Sequence, residues 1–364
     1  MLSRYFTLYT LYFPFPFIPT MLLIGLLIIA IGAFCQSSCY VPINKIKSWS
    51  WESYWIVQGV FAWLILPFLG ALLAVPAGHS LCDLFTADQS FNIWMTILFG
   101  ALWGVGGLTF GLSMRYLGVA LGQSIALGTC AGLGTIMGPV LLNIFFPEND
   151  PLSQLTFAVI LGVVVTLIGI AIIGVAGSMK ASSLSEEEKK AAVKDFNFPK
   201  GITIALLAGF MSGCFNVGLE FGSGINFGDL TPDMYKTLPA TFLVTLGGFV
   251  TNAVYCFYQN QKNGTWGDYT KGGVLANNLL FCLLAGALWY SQFFGLALGK
   301  GFLTDSPTLM TLSFCILMAL NVVFSNVWGI ILKEWKGCSP KTIAVLIVGI
   351  VVLIVSCFLP QLIG

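Results

Sequence analysis

Ten apolar runs, each about 20 residues long, leave this chain few ways to fold. They cover residues 21–43, 53–75, 91–114, 117–142, 155–177, 200–221, 237–259, 276–299, 308–332 and 341–361. As a helix, each is long enough to cross roughly 30 Å of hydrocarbon. Hydrocarbon offers no partner to a free N–H or C=O, so a spanning segment must close its hydrogen bonds within itself. Charge content agrees: 9% of the residues are charged, against about 25% in a soluble domain. The expected fold class is an all-α integral membrane protein with ten transmembrane helices.

The longest hydrophilic stretch, 178–199, contains Glu186-Glu187-Glu188-Lys189-Lys190 and follows the fifth run. It reads as a solvated cytoplasmic linker between a first five-helix unit, 21–177, and a second, 200–364. Residues 1–20 carry Pro14, Pro16 and Pro19, which rule out a regular helix. They also lack the compact apolar core and cleavage site of a signal peptide. They are read as an atypical N-terminal extension ahead of Met21.

Several function classes drop out. A net charge of +1 gives no electrostatic case for nucleic acid. His79 is the single histidine and no CxxC pair exists, so no metal site is expected. Most of the ten cysteines lie in apolar runs, where a thiol behaves as a small hydrophobe. No GxGxxG or Walker pattern calls for a nucleotide cofactor, and no Asp/His or Ser/His cluster has catalytic spacing, so an enzyme is not expected.

Lysine and arginine placement sets an expected orientation. The connections after odd-numbered runs hold 13 of the 16 basic residues. Those connections should be cytoplasmic, with both termini outside. Five is an odd number, so the second unit would enter the membrane inverted relative to the first, as in many secondary transporters. Internal similarity supports this. Gly100-Ala101-Leu102-Trp103 in run 3 recurs as Gly286-Ala287-Leu288-Trp289 in run 8. Ile31-Gly32-Ala33-Phe34 loosely matches Ala208-Gly209-Phe210-Met211, and Glu52-x-Tyr54 echoes Asp233-x-Tyr235. Glycines at spacings of three and four in runs 3 and 4 allow close helix packing, static or sliding.

Polar groups inside spans should face other helices or a wet cavity. They are few: Gln36, Ser37 and Ser38; Gln58; Gln123 and Ser124; Asn216 and Glu220; Asn252; Tyr290 and Gln292; Asn321, Ser325 and Asn326. Taken singly, each amide could be no more than a helix–helix hydrogen bond. Together, those on runs 1, 6, 8 and 9 look like a neutral lining, with Trp103, Trp289 and Phe293 as aromatic surfaces. No lysine or arginine sits there to hold an anion. A neutral sugar fits, with an organic cation in an aromatic cage as the competing ligand.

Among the acidic residues, Glu220 is the one clearly inside a span, and Glu52 opens run 2 in Trp49-Ser50-Trp51-Glu52. A partly desolvated carboxylate can cycle a proton near neutral pH. Both are candidates for proton coupling, although Glu52 could instead be a helix N-terminal carboxylate after a Ser50 cap. Asp229, Asp233 and Asp305 lie in external loops and are weaker candidates.

Four stretches resemble the bacterial L-rhamnose–proton symporters, a branch of the drug/metabolite transporter superfamily. They are the run from Cys39-Tyr40-Val41-Pro42 to Trp49-Ser50-Trp51-Glu52; Leu102-Trp103-Gly104-Val105-Gly106 with Ser113-Met114-Arg115-Tyr116-Leu117-Gly118; Leu288-Trp289-Tyr290-Ser291-Gln292-Phe293-Phe294; and Leu332-Lys333-Glu334-Trp335. The resemblance runs from about residue 21 to the C-terminus. It implies two inverted five-helix repeats in a bacterial inner membrane, importing rhamnose or a similar deoxyhexose together with a proton. The chain departs from the best-known pattern at Glu220, where an amide is expected, and in the loop before run 9. Gln36, Tyr40, Asn216, Tyr290, Gln292 and Asn321 are expected to meet the sugar hydroxyls, with Trp103 and Trp289 on its ring. Na⁺ in place of H⁺ stays open. So do an exporter of the same superfamily and a sugar sensor without transport.

Overall fold

The computed structural model describes residues 20–117, 119–183, 198–333 and 335–363. Among them no strand occurs, and ten helices are long and apolar enough to cross a membrane. They are α1 (Thr20–Ser38), α2 (Trp51–Leu72), α3 (Ser90–Leu117), α4 (Val119–Phe145), α5 (Phe157–Ser182), α6 (Phe198–Phe221), α7 (Leu238–Asn263), α8 (Gly272–Lys300), α9 (Pro307–Ile331) and α10 (Pro340–Ile363). The chain is a multi-pass membrane protein. The extension before residue 20 and most of the linker, 184–197, lie outside the described residues, as do the side chains of Gln123 and Ser124.

Helix starts follow local chemistry. α7, α9 and α10 open with proline in the first turn, where a missing N–H costs nothing. At α9, the Ser306 hydroxyl also accepts from the Leu309 N–H at 3.4 Å. α2 is not uniform. Its middle, Val60–Ile65, widens into one π-helical segment, a distortion found frequently at functional sites.

Packing follows a repeated pattern. α3 lies on α6 and α7, while α8 lies on α1 and α2. α4 packs on α6 and α5, while α9 packs on α1 and α10. Four further pairs, α2–α7, α4–α9, α5–α10 and α5–α9, join the two halves of the chain, the last without a counterpart in the pattern. The recurring tetrapeptide explains two matched pairings, α3–α7 and α8–α2. A Cβ on Gly100 would fall on the Val244 carbonyl of α7. One on Gly286 would sit 2.8 Å from Phe61 and 3.0 Å from the Gln58 carbonyl of α2. Lipid does not drive helices together hydrophobically, so such backbone approach supplies the dispersion contact instead. The core runs through Ile29, Phe215, Leu296, Leu312, Phe314 and Leu317. Ile347, Val348, Val351 and Val355 on α10 stay exposed, as suits a lipid-facing wall.

Successive spans run antiparallel, so the odd-numbered connections share one end, called here the basic end. There the α1–α2 and α7–α8 connections are sewn together. The Ser50 N–H and hydroxyl donate to Asp268 at 2.8 and 2.7 Å. Asn278 accepts from the Lys47 N–H at 3.0 Å and donates to its carbonyl at 2.8 Å. Lys271 pairs with Asp268 and reaches the Ser48 carbonyl at 2.8 Å.

Candidate functional site

A cavity of about 180 Å³ lies among eight of the spans, all but α5 and α10. It is built around three tryptophans in the middle of their helices. Trp103 of α3 and Trp289 of α8 face each other with ring centroids 5.6 Å apart. Trp63 stands edge-on to both, at 6.0 and 5.8 Å. It belongs to the π-helical segment of α2. Trp55, two turns nearer the basic end, donates its indole N–H to Asn252 of α7 at 2.9 Å.

Amides fill the opposite wall. Asn321 of α9 donates to the Gln292 side-chain oxygen at 3.0 Å, and Gln292 donates to the Trp289 carbonyl at 3.2 Å. The Asn321 side-chain oxygen and the Trp63 indole nitrogen are buried and have no hydrogen-bond partner. A buried polar atom in that condition carries unspent hydrogen-bonding capacity. Gln36 of α1 and Ser325 of α9 continue the polar wall toward the basic end. Beside them the Ser325 and Ser37 hydroxyls bond at 3.4 Å, and Trp328 donates to Ser38 at 2.9 Å, so α1 and α9 are stitched together at the rim.

The two ends of the cavity differ. Toward the basic end stands Tyr40, 58% exposed, in the short turn that follows α1. The other end is shut by Phe215 of α6 stacked on Phe293 of α8, with centroids 3.8 Å apart, and by buried Phe314. The cavity therefore opens toward the basic end. Among the described residues that line it, none is charged.

The expected sugar-facing residues divide. Gln36, Tyr40, Trp103, Trp289, Gln292 and Asn321 all line this cavity. Asn216 and Tyr290 do not. Asn216 donates to the Gly134 carbonyl at 2.9 Å and ties α6 to α4. Tyr290 lies over Gly70 of α2, its hydroxyl buried and without a partner. Successive helical residues turn by about 100°, so Tyr290 and Gln292 cannot share a face. Trp63 and Trp55 were absent from the expected set. The signal for Trp63 was its position: tryptophans concentrate at membrane interfaces, and one in mid-span is out of place.

The two carboxylates sit apart from the cavity, toward opposite ends. Glu220 is half-buried between two depressions of about 320 and 370 Å³ at the end away from the basic one. Glu52 is buried at the basic end and accepts from Asn263 and Thr265, each at 2.9 Å. Ser50 makes no side-chain cap on α2, because its hydroxyl goes to Asp268. Burial works to raise the Asp268 carboxyl, but Lys271 and the two Ser50 donors outweigh it and hold it well below the usual carboxylate range.

A cavity with a neutral lining inside ten spans invites comparison with transporters. The family described as L-rhamnose-proton symport protein matches residues 18–362. The chain belongs to that family. The L-rhamnose-proton symporter of Yersinia pestis (strain Pestoides F) is 32% identical over 352 residues, covering 92% of this chain and 96% of the relative. The symporter of the same name from Yersinia pseudotuberculosis serotype O:1b gives the same figures. These relatives of the rhamnose symport family are named as transporters, not enzymes.

Proposed function

We propose that this chain imports L-rhamnose, or a closely related deoxyhexose, together with a proton by alternating access across a bacterial inner membrane. One observation carries the reading beyond family membership: a dead-ended cavity between membrane helices, lined by amides, hydroxyls and aromatic rings with no charged side chain among the described residues. A sugar is neutral, offers many hydroxyls to amides, and has an apolar face for a ring. An anion would need a cation in the wall, and an organic cation would be served by a carboxylate there.

Gln36, Gln292 and Asn321 bond the hydroxyls, Trp103, Trp289 and Trp63 pack on the ring, and Tyr40 stands at the mouth. Asn216 and Tyr290 act behind this wall, holding α6 and α8 in place. The basic end is the cytoplasmic one, which makes this conformation inward-open and puts both termini outside. The matched packing of α1–α5 and α6–α10, and the equivalent roles of Gly100 and Gly286, support two inverted repeats that rock about the tryptophan cluster. Neither carboxylate reaches the sugar cavity. Glu220, on the outer side, and Glu52, on the cytoplasmic side, are the groups we assign to proton uptake and release.

Proteoliposomes test this. Labelled L-rhamnose should accumulate when a pH gradient is imposed, acidic outside, and a protonophore should abolish the accumulation. Uptake indifferent to both would remove the coupling.

A further inference from the structure

The cavity is chemically graded along its length. On α9, Phe314, Met318, Asn321 and Ser325 are spaced four, three and four apart and all line it, so one helical face runs from apolar to polar. On α6 the order is the same, with Phe215 one turn deeper than Ser212. The closed end is thus Phe215, Phe293, Phe314, Met318 and Cys130, all buried, and only the weakly bonding thiol has any polar character. On α9 the strong hydrogen-bonding groups, Asn321 and Ser325, begin one turn nearer the mouth than Met318, with Gln36 beyond them; Gln292 neighbours Phe293 in α8 but is turned about 100° from it, toward Asn321.

L-rhamnose has a matching asymmetry. Its ring bears hydroxyls on most carbons, but C6 is a methyl group, and its 6-hydroxylated counterpart is L-mannose. We propose that the closed end is a methyl subsite, with Phe314 and Met318 as specificity-determining residues that favour 6-deoxyhexoses over hexoses. The assignment rests on rhamnose being the cargo. The methyl sits against Phe314, Met318 and the Phe215–Phe293 stack. The ring hydroxyls then fall at the level of Asn321 and Gln292, where the unpartnered Asn321 oxygen accepts one of them. L-mannose in the same pose would carry its C6 hydroxyl into a wall that cannot pair it. An apolar pocket discriminates against an added hydroxyl by a factor on the order of a hundred at most.

Isothermal titration of the purified full chain with each sugar tests the assignment. L-mannose should bind about ten- to a hundredfold more weakly than L-rhamnose. Met318→Gln and Phe314→Tyr each place a hydrogen-bonding group at the closed end. Each should narrow that ratio several-fold, mainly by tightening L-mannose; a general packing defect would weaken both sugars and leave the ratio unchanged. Equal affinities in the wild type, or an unchanged ratio in variants that still bind rhamnose, would overturn the subsite. If neither variant binds sugar, the wild-type ratio decides alone. Wild-type protein that binds neither sugar would refute the rhamnose reading itself.

Discussion

α2 and α7 are joined at both ends of the molecule, by different physics. At the basic end the seam is polar. Glu52 and Asp268 are only 6% and 5% exposed, and between them they take donors from Asn263, Thr265, Ser50 and Lys271. At the other end, connections α2–α3 and α6–α7 meet through an apolar cluster of Ala71, Leu81, Leu84, Ile225 and Leu243. Among the described residues, its one polar tie between those connections is the Thr231 hydroxyl, which donates to the Ala74 carbonyl at 2.9 Å. In the inverted-repeat arrangement proposed above, exchange of the two five-helix units would map one junction onto the other, yet the chemistry is not shared. An apolar cluster holds regardless of proton concentration. A seam built on buried carboxylates does not. In this conformation the cavity opens beside the carboxylate seam and is closed toward the apolar one.

The largest expected effect is on stability, at the apolar end. Leu84 lies in a short helical turn outside the spans, so water is the reference for its burial. Leu84→Ala should cost about 2–5 kcal/mol. Its melting temperature in detergent should fall by the same amount at pH 5 and pH 8. A loss that depends on pH would break the contrast between the two junctions.

Glu52→Gln comes next. It keeps the shape and one acceptor but removes the charge, and should cost about 1–3 kcal/mol. Its functional effect is the sharper one. Counterflow exchange of rhamnose should persist, while gradient-driven accumulation is lost and the sugar merely equilibrates. Glu220→Gln is the matched arm at the other end. If both variants still concentrate sugar, the proton travels by neither carboxylate.

Asp268→Asn separates structure from coupling within the same seam. The charge-assisted bonds to Ser50 and Lys271 are worth about 1.5–3 kcal/mol. The folded carboxyl is held below its unfolded value of about 3.9. Its stabilisation is therefore full above about pH 4 and fades as the pH falls below it. Wild type should melt higher than the variant near neutral pH, and the difference should close in acid. Transport coupling should survive, because Asp268 stays ionised across the working range.

The spans were legible because run length in hydrocarbon leaves one solution. The run read as 91–114 became Ser90–Leu117, and the other nine also reappear as helices. The site was legible only in part. Gln292 and Tyr290 stood out together as polar letters in one apolar run, but composition does not say which faces the cavity. Ser50 had the spacing of a helix cap; its partner, Asp268, lies 218 residues away and no local pattern predicts it. Trp63 showed only as a tryptophan in mid-span; the π-helical turn that carries it has no signature in the sequence. Long-range pairings and departures from regular geometry are what a single sequence leaves out.

The smallest effect is the most specific to the comparison. Thr231→Val keeps the side-chain shape and deletes the single polar tie of the apolar junction. The Ala74 carbonyl already ends a helix, where α2 gives way to a loop, and Thr231 is 2% exposed, so no water replaces the lost donor readily. The cost should be about 0.5–1.5 kcal/mol. Neither group titrates in the working range, so the melt should shift equally at all pH values between 5 and 8, and accumulation of rhamnose should be unaltered. A variant that changed the pH dependence of uptake would mean that this end also moves with the proton. The two junctions would then be one mechanism, and the asymmetry between them would be a matter of composition alone.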